Sequence, residues 1–238
     1  MIEVDDREGV AVVQLAHGKV NALDLELLHG ITATFTELDR NDTPAVVFTG
    51  SGRAFSAGVD LWRIIDGGAD YVRQFLPALE AAFLAVFTVG KPTVAAINGH
   101  AIAGGAVLAA ACDQRVMSGG TIGVTELLVG VPFPPTALYI LGHALGEKAA
   151  RKAVLTGATL APHEALAAGG IDEIGPVETA VARARTLAEI PADTFRLTKA
   201  QLHAGVHRGP DPRVEELWIR AVEDGRIERF MTRTVRRS

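Results

Sequence analysis

The chain has 238 residues, 48% of them hydrophobic and 21% charged, which suits one large α/β domain or a domain with a small appendage. Its net charge of −5 argues against a partner held through nucleic-acid phosphates, because that needs a basic patch able to release counterions. The single cysteine, Cys112, excludes a disulfide within the chain, and its apolar neighbours point to a buried, inert thiol.

Met1 to Asp6 shows no basic region followed by an apolar stretch, so no signal peptide is expected. The apolar runs all break short of the roughly 20 residues a membrane span needs. A soluble, cytoplasmic protein is the resulting expectation. Residues 10–15 (Val-Ala-Val-Val-Gln-Leu) read as a strand, and residues 45–50 as a second one buried on both faces. Between them Leu25, Leu28, Ile31, Phe35 and Leu38 recur at steps of three and four, which predicts an amphipathic helix over 24–39 and completes a βαβ unit. Val72, Phe75, Leu79, Phe83 and Val86 predict a second helix, and Pro92 resets the chain into a strand over 93–97.

A small-residue turn ending in Gly104-Gly105 leads into the helix-prone run 106–111. Strand-like residues 121–124 run into Thr125-Glu126-Leu127, and a segment broken by Pro132, Pro134 and Pro135 precedes helices. Little strand signal follows Pro176. The pattern predicts a mixed α/β core over 1–190 and a helical C-terminal segment over 191–238, packed on that core or on a neighbouring subunit. No repeat of 20 to 50 residues stands out. Basic residues gather from Arg226 to Arg237, either as a solvated helix end or as a contact to an anion such as a ligand phosphate.

Two segments have the composition of a ligand-approaching turn. Residues 53–61, from Arg53 and Ala54 through Ser56, Ala57, Gly58, Val59 and Asp60 to Leu61, lie between a buried strand and a helical stretch, and small residues there let backbone come close to a ligand. An ordinary turn with Asp60 as helix cap would read the same way. Asn98 to Val107 repeats the arrangement of strand, small-residue turn and helix. Two such turns can aim two backbone donors at one oxygen, and the helix dipole behind Gly104 adds partial positive charge. Neither segment fits G-x-G-x-x-G or G-x-S-x-G, since Ala54 takes the first glycine position of the latter.

Taken together, residues 53–61, 91–99, Ala103-Gly104-Gly105 and Cys112-Asp113 resemble the enoyl-CoA hydratase/isomerase (crotonase) superfamily. The match runs from Asn21-Ala22-Leu23 to about Gly175. The resemblance implies an α/β spiral of β-β-α units, homotrimers that can pair into hexamers, and an acyl-CoA thioester substrate. It implies no separate cofactor, since coenzyme A is part of the substrate, and a C-terminal segment that serves trimerisation or lids the pocket. It further implies an oxyanion hole made by the N–H groups of Val59 and Gly104.

The acid/base positions depart from the hydratase pattern. Hydratases of the family carry a glutamate three residues beyond the oxyanion glycine, where this chain has Val107, and a second one on the later strand, kept here as Glu126. Hydration asks for a water to be oriented and deprotonated and for C2 to be protonated, work those enzymes share between two carboxyls. Shifting a double bond needs one carboxyl, and around Val107 and Glu126 the chain is similar to mitochondrial-type Δ3,Δ2-enoyl-CoA isomerases.

The expectation is therefore an isomerase with Glu126 as acid/base. The alternatives are a slow hydratase and an acyl-CoA-binding homologue without turnover. Glu126 beside Leu127 and Val107 should have a raised pKa, whereas a carboxylate exposed at a strand end or paired with Arg or Lys would not. Ala57, Gly58, Asp60, Leu61, Trp62, Gly105, Val107 and Phe133 are candidate substrate contacts. His100 is expected to be a hydrogen-bonded structural histidine, Tyr139 and His143 to line the acyl pocket, and Lys19, Arg53 and Arg63 are candidates for the CoA phosphates. No cluster has metal-ligand spacing, so no metal is expected.

Overall fold

The structure is a computed structural model that describes residues 1–206 and 209–234. Strands β1 (Ile2–Arg7) and β2 (Val10–Leu15) form an antiparallel pair, followed by helix α1 (Leu25–Arg40). Three similar turns come next: β3 (Val46–Gly50), β4 (Ala54–Ser56) and α2 (Leu61–Thr88); β5 (Thr93–Ile97), β6 (His100–Ile102) and α3 (Gly104–Ala110); β7 (Gln114–Met117), β8 (Ile122–Gly123) and α4 (Glu126–Val129). After them run α5 (Pro135–Leu145), α6 (Glu147–Thr156), β9 (Thr159–Leu160), α7 (Pro162–Ala167) and β10 (Glu173–Ile174). Four helices close the described chain: α8 (Val177–Ala188), α9 (Ala192–Leu202), α10 (Pro212–Glu223) and α11 (Arg226–Thr234).

Each of the three turns gives its first strand to a six-stranded sheet, ordered β1-β2-β3-β5-β7-β10, and its second to a four-stranded sheet, ordered β4-β6-β8-β9. That is the spiral of β-β-α units expected from the resemblance. The large sheet is parallel apart from β1, and β3 and β5 are buried at every residue, which explains their unbroken apolar reading. Strand β1 escaped the sequence reading because it is an edge strand whose residues are almost all exposed, so no apolar alternation marks it.

One face of the large sheet, through Val12, Val47, Val94 and Val116, packs on Ala180, Val181 and Ala184 of α8. The other face packs on α1, α2 and α3 in the main core. Phe48 sits at its centre, edge-on to Phe35 of α1 at 5.1 Å and to Phe55 of β4 at 5.2 Å. The C-terminal helices lie on the chain's own core: α10 packs on α2, and α11 on α2 and α4. Lys199 of α9 is anchored inside, its ammonium donating to Lys91 O, Thr93 Oγ1 and Asp113 Oδ2 at 3.0, 3.4 and 2.8 Å. Among the described residues no helix is long and apolar enough to cross a membrane.

Phe48 is fully buried and joins both sheets to α1 through Phe55 and Phe35, so Phe48→Ala leaves a cavity in the main core. The substitution is expected to lower the unfolding free energy by about 3 to 5 kcal/mol, measured by urea denaturation.

Candidate active site

The site is assembled by the small sheet. Strands β4, β6 and β8 are parallel neighbours, with Ser56 opposite Ala101, Ala101 opposite Ile122 and Ile102 opposite Gly123. Each ends in a short turn that opens a helix, so the first turns of α2, α3 and α4 emerge side by side at the C-terminal ends of parallel strands, where α/β sheets commonly hold ligands. The Ala103 N–H donates to Gly123 O at 2.8 Å and ties the second turn to the third.

The first turn needs glycine at 58. Its φ is +82°, and a Cβ there would lie 2.6 Å from Ile102 O, 3.0 Å from Ala103 Cβ and 3.4 Å from Gly104 N. The first two turns thus touch backbone to backbone. Leu23 N–H donates to Gly58 O, and Asp60 N–H donates to Leu23 O, at 2.8 and 2.9 Å. This bridge uses the groups on either side of Val59 and turns the Val59 N–H away from Leu23. Among the described residues neither the Val59 nor the Gly104 N–H has an acceptor. Asp60 caps α2 by accepting from Trp62 N–H and Arg63 N–H at 3.1 and 3.2 Å. Trp62 and Leu61 are half-buried against the core, and Ala57 is exposed.

In the second turn Ala103 holds φ +51° and ψ −123°, a region costly to a residue with a Cβ by about 1 to 3 kcal/mol. Gly105 packs so closely that a Cβ would meet Ser56 O at 2.4 Å. Helix α3 is apolar and buried throughout, Val107 included.

An asparagine that the sequence reading used only to mark the start of a motif supports both turns. Asn21, fully buried at φ +51°, donates from Nδ2 to Ala54 O and Phe55 O at 3.1 and 3.2 Å, and its own carbonyl accepts from Ser56 Oγ at 2.7 Å. The signal open to a reader was an asparagine, a residue that tolerates positive φ, in a short linker.

Glu126 opens α4, one helical turn after β8, instead of lying on a strand as the resemblance implied, because Thr125 already turns the backbone at φ −114°, ψ 9°. It is 7% exposed, forms no ion pair among the described residues, and its Oε2 is buried without a hydrogen-bond partner. Burial pushes its carboxyl from 4.5 up to about 7, against a smaller lowering by the Glu126 and Thr125 N–H groups. The readings of an exposed or paired carboxylate do not hold.

Phe133 is buried in the segment after α4. His100 is exposed, its Nδ1 3.0 Å from Thr121 Oγ1, as expected of a hydrogen-bonded structural histidine. Tyr139 and His143 do not join the three turns. They gather with Phe87 and His203, and His143 faces a cavity of about 290 Å³ beside Ala110, Cys112 and Lys199, at the opposite end of α3 from Gly104. Position after a proline-rich segment did not reveal which end of α3 they would reach. Burial pushes the Cys112 thiol up to about 12, the inert state expected. Lys19 and Arg53 are exposed, while Arg63 pairs with Glu26 and Asp24. Arg226, in the basic C-terminal cluster, pairs with Asp224; Arg236 and Arg237 lie outside the described residues. No group of three or more His, Cys, Asp or Glu among the described residues could hold a metal ion.

The fold is an α/β spiral in which the turns after β4 and β6 carry backbone N–H groups without an acceptor among the described residues, and the turn after the neighbouring β8 carries a desolvated carboxyl. The profile of the enoyl-CoA hydratase/isomerase family matches residues 5–223, and the chain belongs to that family. It is 39% identical over 214 residues to a provisionally named enoyl-CoA hydratase of Thermus thermophilus, covering 86% of this chain and 84% of that one. To the mitochondrial enoyl-CoA delta isomerase 1 of Mus musculus it is 31% identical over 210 residues, 84% of this chain and 72% of the relative. An apo structure of an enoyl-CoA isomerase from Mycobacterium tuberculosis superposes with a TM-score of 0.79 at 30% identity, covering 94% of this chain and 97% of that one.

The buried Glu126 makes stability depend on pH. A carboxyl whose pKa is raised on folding stabilises fully below about 4.5 and loses that contribution as pH rises through about 7. The wild type should lose on the order of 3 kcal/mol more than Glu126→Gln between pH 4 and pH 8, measured by urea unfolding of both proteins.

Proposed function

We propose that the chain is a Δ3,Δ2-enoyl-CoA isomerase. The observation that carries this reading is a buried carboxyl with one oxygen unpartnered, in a chain that has the buried, apolar Val107 where the hydratase pattern has its other glutamate. In the proposed reaction a 3-enoyl thioester lies with its carbonyl oxygen between the Val59 and Gly104 N–H groups. The Glu126 carboxylate removes a proton from C2. The C2–H electrons form the C1–C2 double bond, and the developing oxyanion of the dienolate is held by the two donors. The protonated Glu126 then delivers that proton to C4 as the remaining double bond settles between C2 and C3. The proton removed is the proton returned, so water and oxidant play no part. Coenzyme A serves as the substrate's handle, and no separate cofactor enters.

Each backbone donor is worth roughly 3 kcal/mol, and a positioned base roughly 3 to 5 kcal/mol. The sum lies near the lower end of the ~8 to 23 kcal/mol typical of enzymes, before proximity is counted. Ala57, Gly58, Asp60, Leu61, Trp62, Gly105, Val107 and Phe133 are the proposed surroundings of the thioester and acyl chain. A cytoplasmic homotrimer or hexamer is the proposed assembly, with residues 191–238 at its contacts or over the pocket. The exposed Leu197 and Leu202 of α9 support that role.

Slow hydration with Glu126 alone is the second reading, favoured by the hydratase name of the Thermus thermophilus relative. An acyl-CoA-binding homologue without turnover is the third. Purified protein offered 3-enoyl-CoA and 2-enoyl-CoA of several lengths separates them: isomerisation should outrun hydration, and the reverse would overturn the proposal. Tight binding of the CoA esters with no turnover would favour the binder.

Glu126→Gln should cut kcat by about 10² to 10⁴. The kcat/KM profile of the wild type should rise with pH through about 7 as the carboxylate forms, and a profile without that ionisation would count against Glu126 as the base. Val107→Glu should raise the ratio of hydration to isomerisation at least tenfold, read by assaying both products from one preparation.

A further inference from the structure

The turn that carries Glu126 is gripped from the far end of the chain. Helix α4 ends at Gly130, in the left-handed region at φ +92°, and the N–H groups of Gly130 and Val131 donate to Glu126 O at 3.0 and 3.1 Å. The placement of Gly130 therefore sets the backbone of Glu126. On its other side Gly130 meets α11. Arg226 Nη1 donates to Gly130 O at 3.3 Å, and a Cβ on Gly130 would lie 2.7 Å from Arg226 Cδ. Asp224 holds the guanidinium in turn, accepting from Arg226 Nε at 3.1 and 3.0 Å and from Nη2, while the Arg226 N–H donates to Asp224 Oδ1 at 3.0 Å. Two residues beyond Gly130, Pro132 O accepts from Trp218 Nε1 at 2.9 Å, so α10 grips the same segment.

Resting on the reading of Glu126 as the acid/base, we infer that Arg226, clasped by Asp224, is a positioning residue: it fixes the Gly130 turn and thereby holds the Glu126 carboxyl in its dry place. The basic residue that the sequence left open as a phosphate contact is engaged by a carbonyl and an aspartate of its own chain. The charged groups around the turn are few. Strand β8 and helix α3 carry none, α6 meets α4 through Leu128 against Gly157, and α11 brings Arg226 together with Asp224 and Arg229, which donates to Asp224 O at 2.7 Å.

The test compares wild type, Arg226→Ala and Arg226→Lys, each with and without Glu126→Gln. On whichever enoyl-CoA the wild type turns over, Arg226→Ala should lower kcat at least tenfold with KM changed less than threefold, and Arg226→Lys should recover part of the loss. The deciding readout needs no turnover. Between pH 5 and pH 8 the difference in urea stability between a protein and its Glu126→Gln counterpart reports how dry the carboxyl is. In the Arg226→Ala background that pH-dependent difference should fall to half or less. An unchanged difference overturns the inference, whatever kcat does. A wild type without turnover would refute the isomerase reading and leave the stability comparison to decide this one. Should Arg226→Ala fail to fold, Asp224→Asn, which loosens the guanidinium without vacating its place, carries the same comparison.

Discussion

The approach of Gly58 to Ile102 O and Gly104 N is the constraint on which the site depends. Two loops that meet backbone to backbone leave no room for a side chain between them, and the proposed sharing of one oxygen by their N–H groups requires that closeness. The rest of the architecture enforces that approach. Strands β4, β6 and β8 run parallel in one small sheet, so their turns emerge on the same side, and Asn21 and Leu23 hold the first turn from behind with five hydrogen bonds between protein groups. Ala103 accepts a strained φ within this frame, and it persists because its N–H is bonded to Gly123 and the glycines on either side of the gap fix its surroundings.

Glu126 is the second cost carried by the same edge. A carboxyl buried with an unpartnered oxygen opposes folding whenever it is charged, and hydrogen bonds could have relieved it. The N–H groups of Thr125 and Glu126 offset only part of that cost, and Oε2 is left without a partner. The strain at Ala103 and the desolvation at Glu126 both fall on the turns after β6 and β8, while the aromatic centre around Phe48 is apolar and fully buried. Two such costs on neighbouring turns are the pattern expected where binding or catalysis outweighs stability.

What could be read from the chain follows from how far each interaction reaches. Residues 10–15 and 93–97 were legible as strands because both of their faces are buried, and α1 because its apolar residues keep a single helical face. Residues 121–124 read as strand-like and hold β8, but β4 and β6 have three residues each, too few for any periodicity, so the small sheet that assembles the site could not be seen as a sheet. The turns themselves were visible through their glycines. Glu126 was visible as a residue, but the segment that carries it is held by α10 and by Arg226 of α11, which bond Pro132 O and Gly130 O from far along the chain. Tyr139 and His143 were misplaced for a related reason: a side chain's distance from the site depends on which end of α3 it faces, and α3 is only seven residues long.

The absence of a second acid at 107 and the dryness at 126 belong together. A glutamate at 107 would bring another charge into an apolar, fully buried helix, and two carboxyls sharing such a space cannot both ionise cheaply. Sites that use two acids must therefore admit water or other polar partners to support them. Burial raises the proton affinity of Glu126 toward neutral pH, and on the proposed reading that suits it both to take a proton from carbon and to give it back. Hydration needs a water held beside the base; proton transfer between C2 and C4 needs that water excluded. On the proposed isomerase reading, valine at 107 leaves a single carboxyl matched to a reaction that needs only one.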